Sequence, residues 1–175
     1  FILAGQSYSY GNIDGDFYAV KTDGNGIVQW FKNYSNPGLQ ECHYIQNVPG
    51  GGFIMVGDAD SLSNGLGDTD VWLIRTDDNG DTLWTKTIGG SKKDGGKTVE
   101  NTSDGGFFLV GITRSFNLIN PNYYLVKTDF AGNTEWQNSS YGTSHHDHAY
   151  TGIQTSDGGY AAFGYFRNSS NTANY

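Results

Sequence analysis

Hydrophobic and polar residues alternate along this chain in blocks that recur at a regular interval. One block is an apolar segment that begins and ends with Gly and carries an aromatic residue in its second position. Its copies are residues 52–57, 106–111 and 159–164, and residues 1–5 match their last five positions. A second apolar block ends in Lys-Thr-Asp or Arg-Thr-Asp and continues to a Trp. Its copies are residues 17–30, 71–84 and 123–136. Both blocks recur about every 53 residues, which establishes an internal repeat.

Each repeat predicts four strands. The first strand is short and mixed in composition, and a tight turn containing Gly separates it from the second, which is the first apolar block. The first strands are predicted at residues 43–48, 97–102 and 149–155. A polar, Gly-rich stretch then leads to a third strand that is continuously apolar, as expected for a strand covered on both faces. An Asp-x-x-Gly turn connects it to the fourth strand, which carries the Trp.

Four antiparallel strands in a repeat of about 53 residues are typical of one blade of a β-propeller. A solenoid is the structural alternative, although solenoid repeats usually lack four hairpin-like units. Because a twisted four-stranded sheet cannot bury both faces by itself, neighbouring sheets must stack against it. We therefore predict an all-β fold, a β-propeller of four-stranded antiparallel blades.

The predicted strands do not make a complete ring. Residues 1–34 supply strands two to four of one blade, residues 43–88 and 97–141 supply two complete blades, and residues 149–166 supply strands one and two of another. These pieces amount to about 3.3 repeats, and a ring of four blades needs about 16 strands. We expect residues 1–175 to be a single partial propeller, completed by further sequence or by neighbouring chains.

Composition narrows the class of protein and its partners. The 175 residues include 26 Gly and 3 Pro, and 15% are aromatic, which suits short strands joined by tight turns rather than helices. The formal net charge is −8 and no stretch is strongly basic, so we expect no nucleic-acid partner. No run approaches the roughly 18 apolar residues of a membrane span, so we expect none. Cys42 is the only cysteine, which excludes a disulfide within the chain.

The Lys-Thr-Asp-x-x-Gly-x-x-x-Trp segment, followed by Thr-Ser-Asp-Gly-Gly and an aromatic residue, resembles a repeat of secreted or surface-anchored propeller proteins of bacteria and archaea. The same hairpin is similar to the tryptophan-docking motif of quinoprotein dehydrogenase propellers. The resemblance implies an extracellular or cell-surface location. It also implies that an Asp and a Trp of each hairpin lock adjacent blades together. In this chain these residues are Asp23, Asp77 and Asp129 with Trp30, Trp84 and Trp136.

In a meander, the loops after strands two and four emerge at one edge of the sheets, here called the loop edge (residues 58–70, 142–148 and their counterparts). The long, variable loops all lie there, which makes it the predicted working face. One of these loops contains four carboxylates, Asp58, Asp60, Asp68 and Asp70, the oxygen ligands that Ca²⁺ prefers. In the alternative reading, the Asp before strand three caps a turn by accepting backbone N–H bonds.

A second candidate metal site lies in the loop after a fourth strand, where His145, His146 and His148 flank Asp147 and could bind Zn²⁺ or a similar ion. Residues adjacent in sequence seldom form a tight tetrahedral site, and Asp147 matches Asp94 in the preceding repeat, which favours a structural role for this carboxylate. The segment Cys42-His43, in the corresponding loop, is interpreted as ordinary packing.

Motifs of enzymes are weak in this chain. Residues 76–82 nearly match the Asp-box of sialidases, but Leu83 occupies the position of the Trp. Nucleophile elbows, zinc-protease motifs and phosphate-binding loops do not occur in the sequence. We therefore predict a non-catalytic scaffold or binding module without a cofactor, apart from the candidate Ca²⁺, that presents an acidic loop edge to protein, glycan or cation. The alternatives are a structural subunit of a surface filament or stalk, and a fragment of a glycosidase-like, sialidase-like or quinoprotein-like propeller enzyme.

Overall fold

The computed structural model describes residues 1–9, 14–60, 68–116 and 120–167, together with the backbone of residues 173–174. These residues form fourteen β-strands. In chain order they are β1 (Ile2–Ser7), β2 (Asp16–Thr22), β3 (Val28–Tyr34), β4 (Gln40–Asn47), β5 (Phe53–Asp60), β6 (Thr69–Thr76), β7 (Thr82–Ile88), β8 (Asp94–Asn101), β9 (Phe107–Thr113), β10 (Asn122–Thr128), β11 (Thr134–Asn138), β12 (His148–Gln154), β13 (Tyr160–Arg167) and β14 (Ala173–Asn174). Nowhere in these ranges is there a helix long and apolar enough to cross a membrane.

The strands form four sheets in which each strand pairs with its neighbour in sequence. Sheet 1 contains β1–β3, sheet 2 contains β4–β7, sheet 3 contains β8–β11 and sheet 4 contains β12–β14. Every pairing between the described strands is antiparallel. The predicted all-β class and the four-stranded antiparallel unit are therefore confirmed, the latter by sheets 2 and 3.

The apolar third strands are buried along their whole length. Every residue of β6 and of β10 is buried, which confirms the expectation that these strands are covered on both faces. The strand β5, the second strand of its repeat, is also covered on both faces. Met55 packs towards sheet 1, whereas Ile54 and Val56 pack towards sheet 3. A run of consecutive apolar residues is thus explained by two buried faces rather than by one.

The hydrophobic core consists of three clusters, each between two sheets. The cluster between sheets 1 and 2 contains Phe17, Ala19, Tyr34, Cys42, Met55, Ala59, Trp72 and Ile74. The cluster between sheets 2 and 3 contains Val48, Ile54, Val56, Val71, Leu73, Ile88, Val99, Phe107, Leu109, Tyr124 and Val126. The cluster between sheets 3 and 4 contains Phe108, Val110, Tyr123, Leu125 and Ala149. In the described part of the chain each core cluster lies between two adjacent sheets, so stacking stabilises the sheets by burying their apolar faces.

The first strand of each sheet begins earlier than the sequence predicts. The predicted starts were residues 43, 97 and 149, whereas β4, β8 and β12 begin at Gln40, Asp94 and His148. In all three strands a β-bulge interrupts the register, and the extra residues are His43, Lys97 and Tyr150. A bulge breaks the two-residue periodicity from which strands are recognised, so the sequence did not reveal the residues of β4 and β8 that precede the bulge.

The bulge also explains the Gly that ends each apolar block. A methyl group on Gly57 would lie 2.0 Å from the Glu41 carbonyl oxygen, and one on Gly111 would lie 2.0 Å from the Gly95 carbonyl oxygen. A methyl group on Gly164 would lie equally close to the carbonyl oxygen of His148. The backbone at the bulge passes so close that only a residue without a side chain fits opposite it.

Two further predictions about strand boundaries were wrong. The loop predicted at 58–70 is shorter, because β5 continues to Asp60 and β6 begins at Thr69; residues 61–67 lie outside the described residues. The last repeat was predicted to contain two strands, but the short strand β14 pairs with β13 as a third. Polar residues at these strand ends carry no hydrophobic signal, and backbone pairing alone places them in the sheet.

Candidate functional site

The Asp residues of the Asp-x-x-Gly turns bind their own backbone. Asp23 Oδ1 accepts bonds from the backbone N–H groups of Asn25 (2.8 Å) and Ile27 (2.9 Å). Asp77 Oδ1 accepts bonds from the backbone N–H groups of Asn79 (2.8 Å) and Asp81 (2.9 Å) in the same manner. Asp129 Oδ1 accepts one from the backbone N–H of Asn133 at 2.8 Å. These carboxylates stabilise hairpin turns and are not arranged around a common point.

Each repeated Trp contacts the aromatic residue that opens the second strand of the next sheet. The ring centroids of Trp30 and Phe53 are 5.8 Å apart, and those of Trp84 and Phe107 are 6.1 Å apart. Trp136 lies 5.2 Å from Tyr160 but is 37% exposed. The hairpins of sheets 1, 2 and 3 therefore contact the following sheet.

The hairpin of sheet 1 also bonds to the equivalent turn of sheet 2. The Trp30 indole N–H donates to the Asp78 carbonyl oxygen at 3.1 Å, and the Tyr34 hydroxyl donates to the Gly80 carbonyl oxygen at 2.8 Å. These two bonds join a side chain of one sheet to the turn of the next, so they fix the position of adjacent sheets as well as burying apolar area.

The four Asp residues predicted to bind Ca²⁺ are separated by the structure. Asp58 lies opposite Glu41 and close to Gly95, whereas Asp70 lies close to Gly89 and Asp94. Asp60 accepts a bond from the Thr69 hydroxyl at 2.8 Å, and Asp68 is exposed in a bend. The structure does not bring these carboxylates together, and Ca²⁺ binding by them stays a prediction.

The side chains of His145, His146 and His148 also point to different surroundings. The His148 ring stacks on Tyr165 with centroids 5.1 Å apart, and burial together with His146, Arg167 and Lys97 lowers its pKa. His145 is held by its backbone N–H, which donates to the Thr143 hydroxyl at 3.0 Å. Within the described residues, these three imidazoles do not form a group of converging ligand atoms.

Asp147 and its counterparts cap the loops that precede the first strands. Asp94 Oδ2 accepts from the Gly90 N–H at 2.6 Å, and Asp147 Oδ2 accepts from the Thr143 N–H four residues earlier. Gln40 occupies the same place in sheet 2, where its Oε1 accepts from the Asn36 N–H at 3.1 Å. Three sheets thus use this position for loop capping, which supports the structural reading of Asp147.

One group of chemically functional side chains does converge at the loop edge. It consists of Glu41, His43, Asp58 and Lys97, here called the Lys97 cluster. The ligand atoms of Glu41, His43 and Asp58 all lie within 4.8 Å of one another. Lys97 Nζ is 2.7 Å from His43 Nε2 and 3.2 Å from Asp58 Oδ2. In the described part of the chain this is the only group of three such ligands that approach so closely.

The backbone explains why the cluster forms. Glu41 and Asp58 are directly opposite each other in the pairing of β4 with β5, so their side chains share a face. His43 and Lys97 are the extra residues of the bulges in β4 and β8, two first strands that contact each other. A bulge redirects a side chain, and here the two bulges direct an imidazole and an ammonium towards the same carboxylate.

The Lys97 contact shows which atom of His43 faces the centre of the cluster. A Lys ammonium has three donors and no acceptor, so the contact at 2.7 Å requires a lone pair on His43 Nε2. His43 Nε2 and Asp58 Oδ2, which are 3.2 Å apart, both face the ammonium. The cluster holds two carboxylates, an imidazole and a single ammonium cation.

Sequence reasoning missed three members of this cluster. His43 was interpreted as ordinary packing, and neither Glu41 nor Lys97 was singled out. A signal was present, because His43, Lys97 and Tyr150 each precede the aromatic residue of the next strand by ten positions. The three side chains differ although the surrounding repeat is preserved, which is the pattern of positions that are not required for the fold.

A cleft of about 680 Å³ lies between sheets 3 and 4. Its aromatic lining includes Trp136, Tyr141 and Tyr160. In the junction between sheets 2 and 3 the third strand of the following sheet contributes Tyr124 and Val126 to the core. Among the described residues, sheet 4 contributes to its junction residues of its first two strands.

Comparison with known proteins provides no further assignment, since no protein-family model and no curated protein matches the chain.

Proposed function

We propose that the chain is part of a β-propeller that serves as a non-catalytic scaffold and binding module of an extracellular or cell-surface protein. The remaining blades would come from further sequence or from neighbouring chains. The partner, a protein or a glycan, would bind at the loop edge. The location is proposed from the resemblance of the Lys-Thr-Asp repeat to secreted and surface-anchored propeller proteins.

The propeller arrangement is supported by the way in which the junctions repeat. Each Trp hairpin contacts the next sheet at an equivalent aromatic residue, and the first strands β4, β8 and β12 are neighbours along one side of the stack. Stacking with the first strands on the inside is the arrangement of propeller blades around an axis.

The binding role is carried by one observation, the contrast between preserved core positions and variable edge positions. The Gly opposite each bulge is the same in three sheets, because the close backbone requires it. The bulge residue itself is His43, Lys97 or Tyr150. A scaffold that holds its backbone constant while exchanging the side chains at one edge is suited to recognising a partner there.

The proposal is tested by binding measurements on an edge variant. The 175-residue chain is applied to a glycan array and to a phage-displayed peptide library, in parallel with a variant in which His43, Lys97 and Tyr150 are replaced by Ala. A control variant carries Ser103→Ala and Ser156→Ala, which alter exposed turns at the opposite edge. We expect the edge variant alone to lose binding, with its melting temperature retained.

The same preparations distinguish the alternative functions. Turnover of a bound glycan, measured as released reducing sugar, would contradict the non-catalytic role. Sedimentation measures the assembly state, and a monomer of 19.1 kDa would exclude a filament subunit. If the control variant lost binding and the edge variant kept it, the partner would bind at the edge opposite the loop edge, which would contradict the proposal.

A further inference from the structure

We propose that Glu41, His43 and Asp58 form a site for a divalent transition-metal ion such as Zn²⁺, and that the ion takes the place which the Lys97 ammonium holds in this structure. The inference deepens the proposed function, on which it rests for the accessibility of the loop edge. Metal binding itself requires neither a protein nor a glycan partner, so the two proposals fail independently.

The ammonium of Lys97 marks a cation position inside the cluster. Nζ lies 2.7 Å from His43 Nε2 and 3.2 Å from Asp58 Oδ2, so both atoms direct lone pairs at one point. Two ligands of a tetrahedral Zn²⁺ with bonds of 2.0–2.1 Å are roughly 3.3 Å apart. His43 Nε2 and Asp58 Oδ2 are 3.2 Å apart, so this pair already has the required separation.

A third ligand is available on the same face. Glu41 lies opposite Asp58 in the strand pairing, and its carboxylate belongs to the group within 4.8 Å. It is exposed, so its side chain can rotate inwards without displacing a packed neighbour. Three protein ligands leave a fourth position for water, the arrangement of an open zinc site.

The carboxylate of Asp58 is a separate observation that favours a cation site here. Its Oδ1 atom is buried and has no hydrogen-bond partner, whereas Oδ2 contacts Lys97. Gly95 makes room for this oxygen, because a methyl group there would lie 2.7 Å from Oδ1. A buried carboxylate oxygen without a donor is unfavourable, and coordination of the carboxylate to a metal would compensate for it.

The charges and the ligand types select the class of ion. With Lys97 turned out to solvent, two carboxylates and a neutral imidazole balance a divalent cation. Imidazole with carboxylates suits Zn²⁺, Cu²⁺ or Ni²⁺ better than Ca²⁺ or Mg²⁺, which prefer oxygen ligands alone. Lys97 sits on a flexible stem and is 26% exposed, so it acts as a competitor that the metal must displace.

Isothermal titration of the 175-residue chain with Zn²⁺ at pH 7.5 tests the site. We expect one ion per chain, about tenfold or more tighter binding in Lys97→Leu, and loss of binding in His43→Gln. Lys93→Leu and His146→Gln are the matched controls, since both residues are exposed outside the cluster, and they should bind as the unmodified chain does. Lys97→Gln replaces Lys97→Leu if the latter fails to fold, as judged by circular dichroism.

Two results would overturn the proposal. One is the absence of Zn²⁺ binding by the folded Lys97 variants, because removal of the competing ammonium should make binding strongest. The other is unchanged binding in His43→Gln together with loss in His146→Gln, which would assign the ion to the residues at 145–148. Zn²⁺ binding without any glycan or peptide partner would support the metal site and count against the proposed function alone.

Discussion

Asp70 and Asp94 place two carboxyl groups over the same backbone position, Gly89. A methyl group on Gly89 would lie 2.1 Å from Asp70 Oδ1 and 2.8 Å from Asp94 Oδ2. Asp94 is fully buried and accepts bonds from Gly90 and from Ser115, whereas Asp70 Oδ1 is buried without a partner. Burial, and secondarily the charge of Asp94, raises the pKa of Asp70 to about 6. The next junction has an amide in the equivalent place, since Asn122 lies beside Asp147 over Gly142.

Replacing one of these carboxyls by an amide should stabilise the protein. We expect Asp70→Asn to increase the free energy of unfolding at pH 7 by about 2 kcal/mol, because it removes an ionised carboxyl that is buried beside another. Urea denaturation at pH 7 measures the change. The matched control is Asn122→Asp, which creates the same pair of carboxyls beside Asp147 and should destabilise. A destabilising Asp70→Asn would contradict this account.

The same carboxyl predicts a pH dependence. Because the pKa of Asp70 is raised in the folded protein, folding is favoured by its protonation at low pH, and this contribution is lost as pH rises from about 4 to above 6. The stability of Asp70→Asn relative to the unmodified chain should therefore grow over this interval and level off above it. Urea midpoints of both proteins between pH 4 and pH 8 test this; a constant difference would show that Asp70 does not titrate there.

The docking of Trp84 on the next sheet predicts different costs for two similar glycines. Gly26 and Gly132 both adopt positive φ in Asp-x-x-Gly turns, at +83° and +76°. A methyl group on Gly26 meets nothing within 4 Å, whereas one on Gly132 would lie 2.8 Å from the Trp84 ring. We expect Gly26→Ala to cost about 1 kcal/mol from backbone strain and Gly132→Ala about 1–3 kcal/mol more. Equal losses in chemical denaturation would mean that the Trp84 contact does not hold the sheets together.

The single thiol should be unreactive in the folded protein. Cys42 is buried between sheets 1 and 2, and burial raises its pKa to about 12. Since the thiolate is the reactive form, we expect no reaction with Ellman's reagent at pH 8 in buffer and full reaction in guanidinium chloride. Rapid labelling of the native protein would show that the junction between these sheets opens.

Much of the fold could be predicted from the sequence because its main determinants are periodic and local. The apolar blocks around Phe53 and Phe107 indicated second strands, and the continuous apolar run from Val71 indicated a strand buried on both faces. Asp77 and Gly80 indicated the turn that the structure contains. Each of these signals depends on residues close together in the chain, where hydrophobic spacing and turn chemistry act directly.

The candidate site could not be predicted in this way. Glu41, His43 and Asp58 come together through a strand pairing, and Lys97 joins them from another sheet, 54 positions after His43. The bulges that direct His43 and Lys97 towards Asp58 have no hydrophobic signature, because a bulge interrupts the alternation by which strands are recognised. Among the described residues the carboxylates predicted to bind Ca²⁺ do not converge either, because strand pairing places Asp58 beside Glu41 while Asp70 lies beside Asp94 of another sheet.

The sequence by itself therefore determined the repeat, the antiparallel four-stranded sheets and the turns that join their strands. Only the tertiary structure decided which polar groups meet: Lys97 with His43 and Asp58 at the loop edge, and Asp70 with Asp94 in the junction. The physical reason is that burial of alternating apolar side chains is encoded along one strand. The convergence of charged groups depends on register, bulges and the stacking of separate sheets, and these are set by the whole chain.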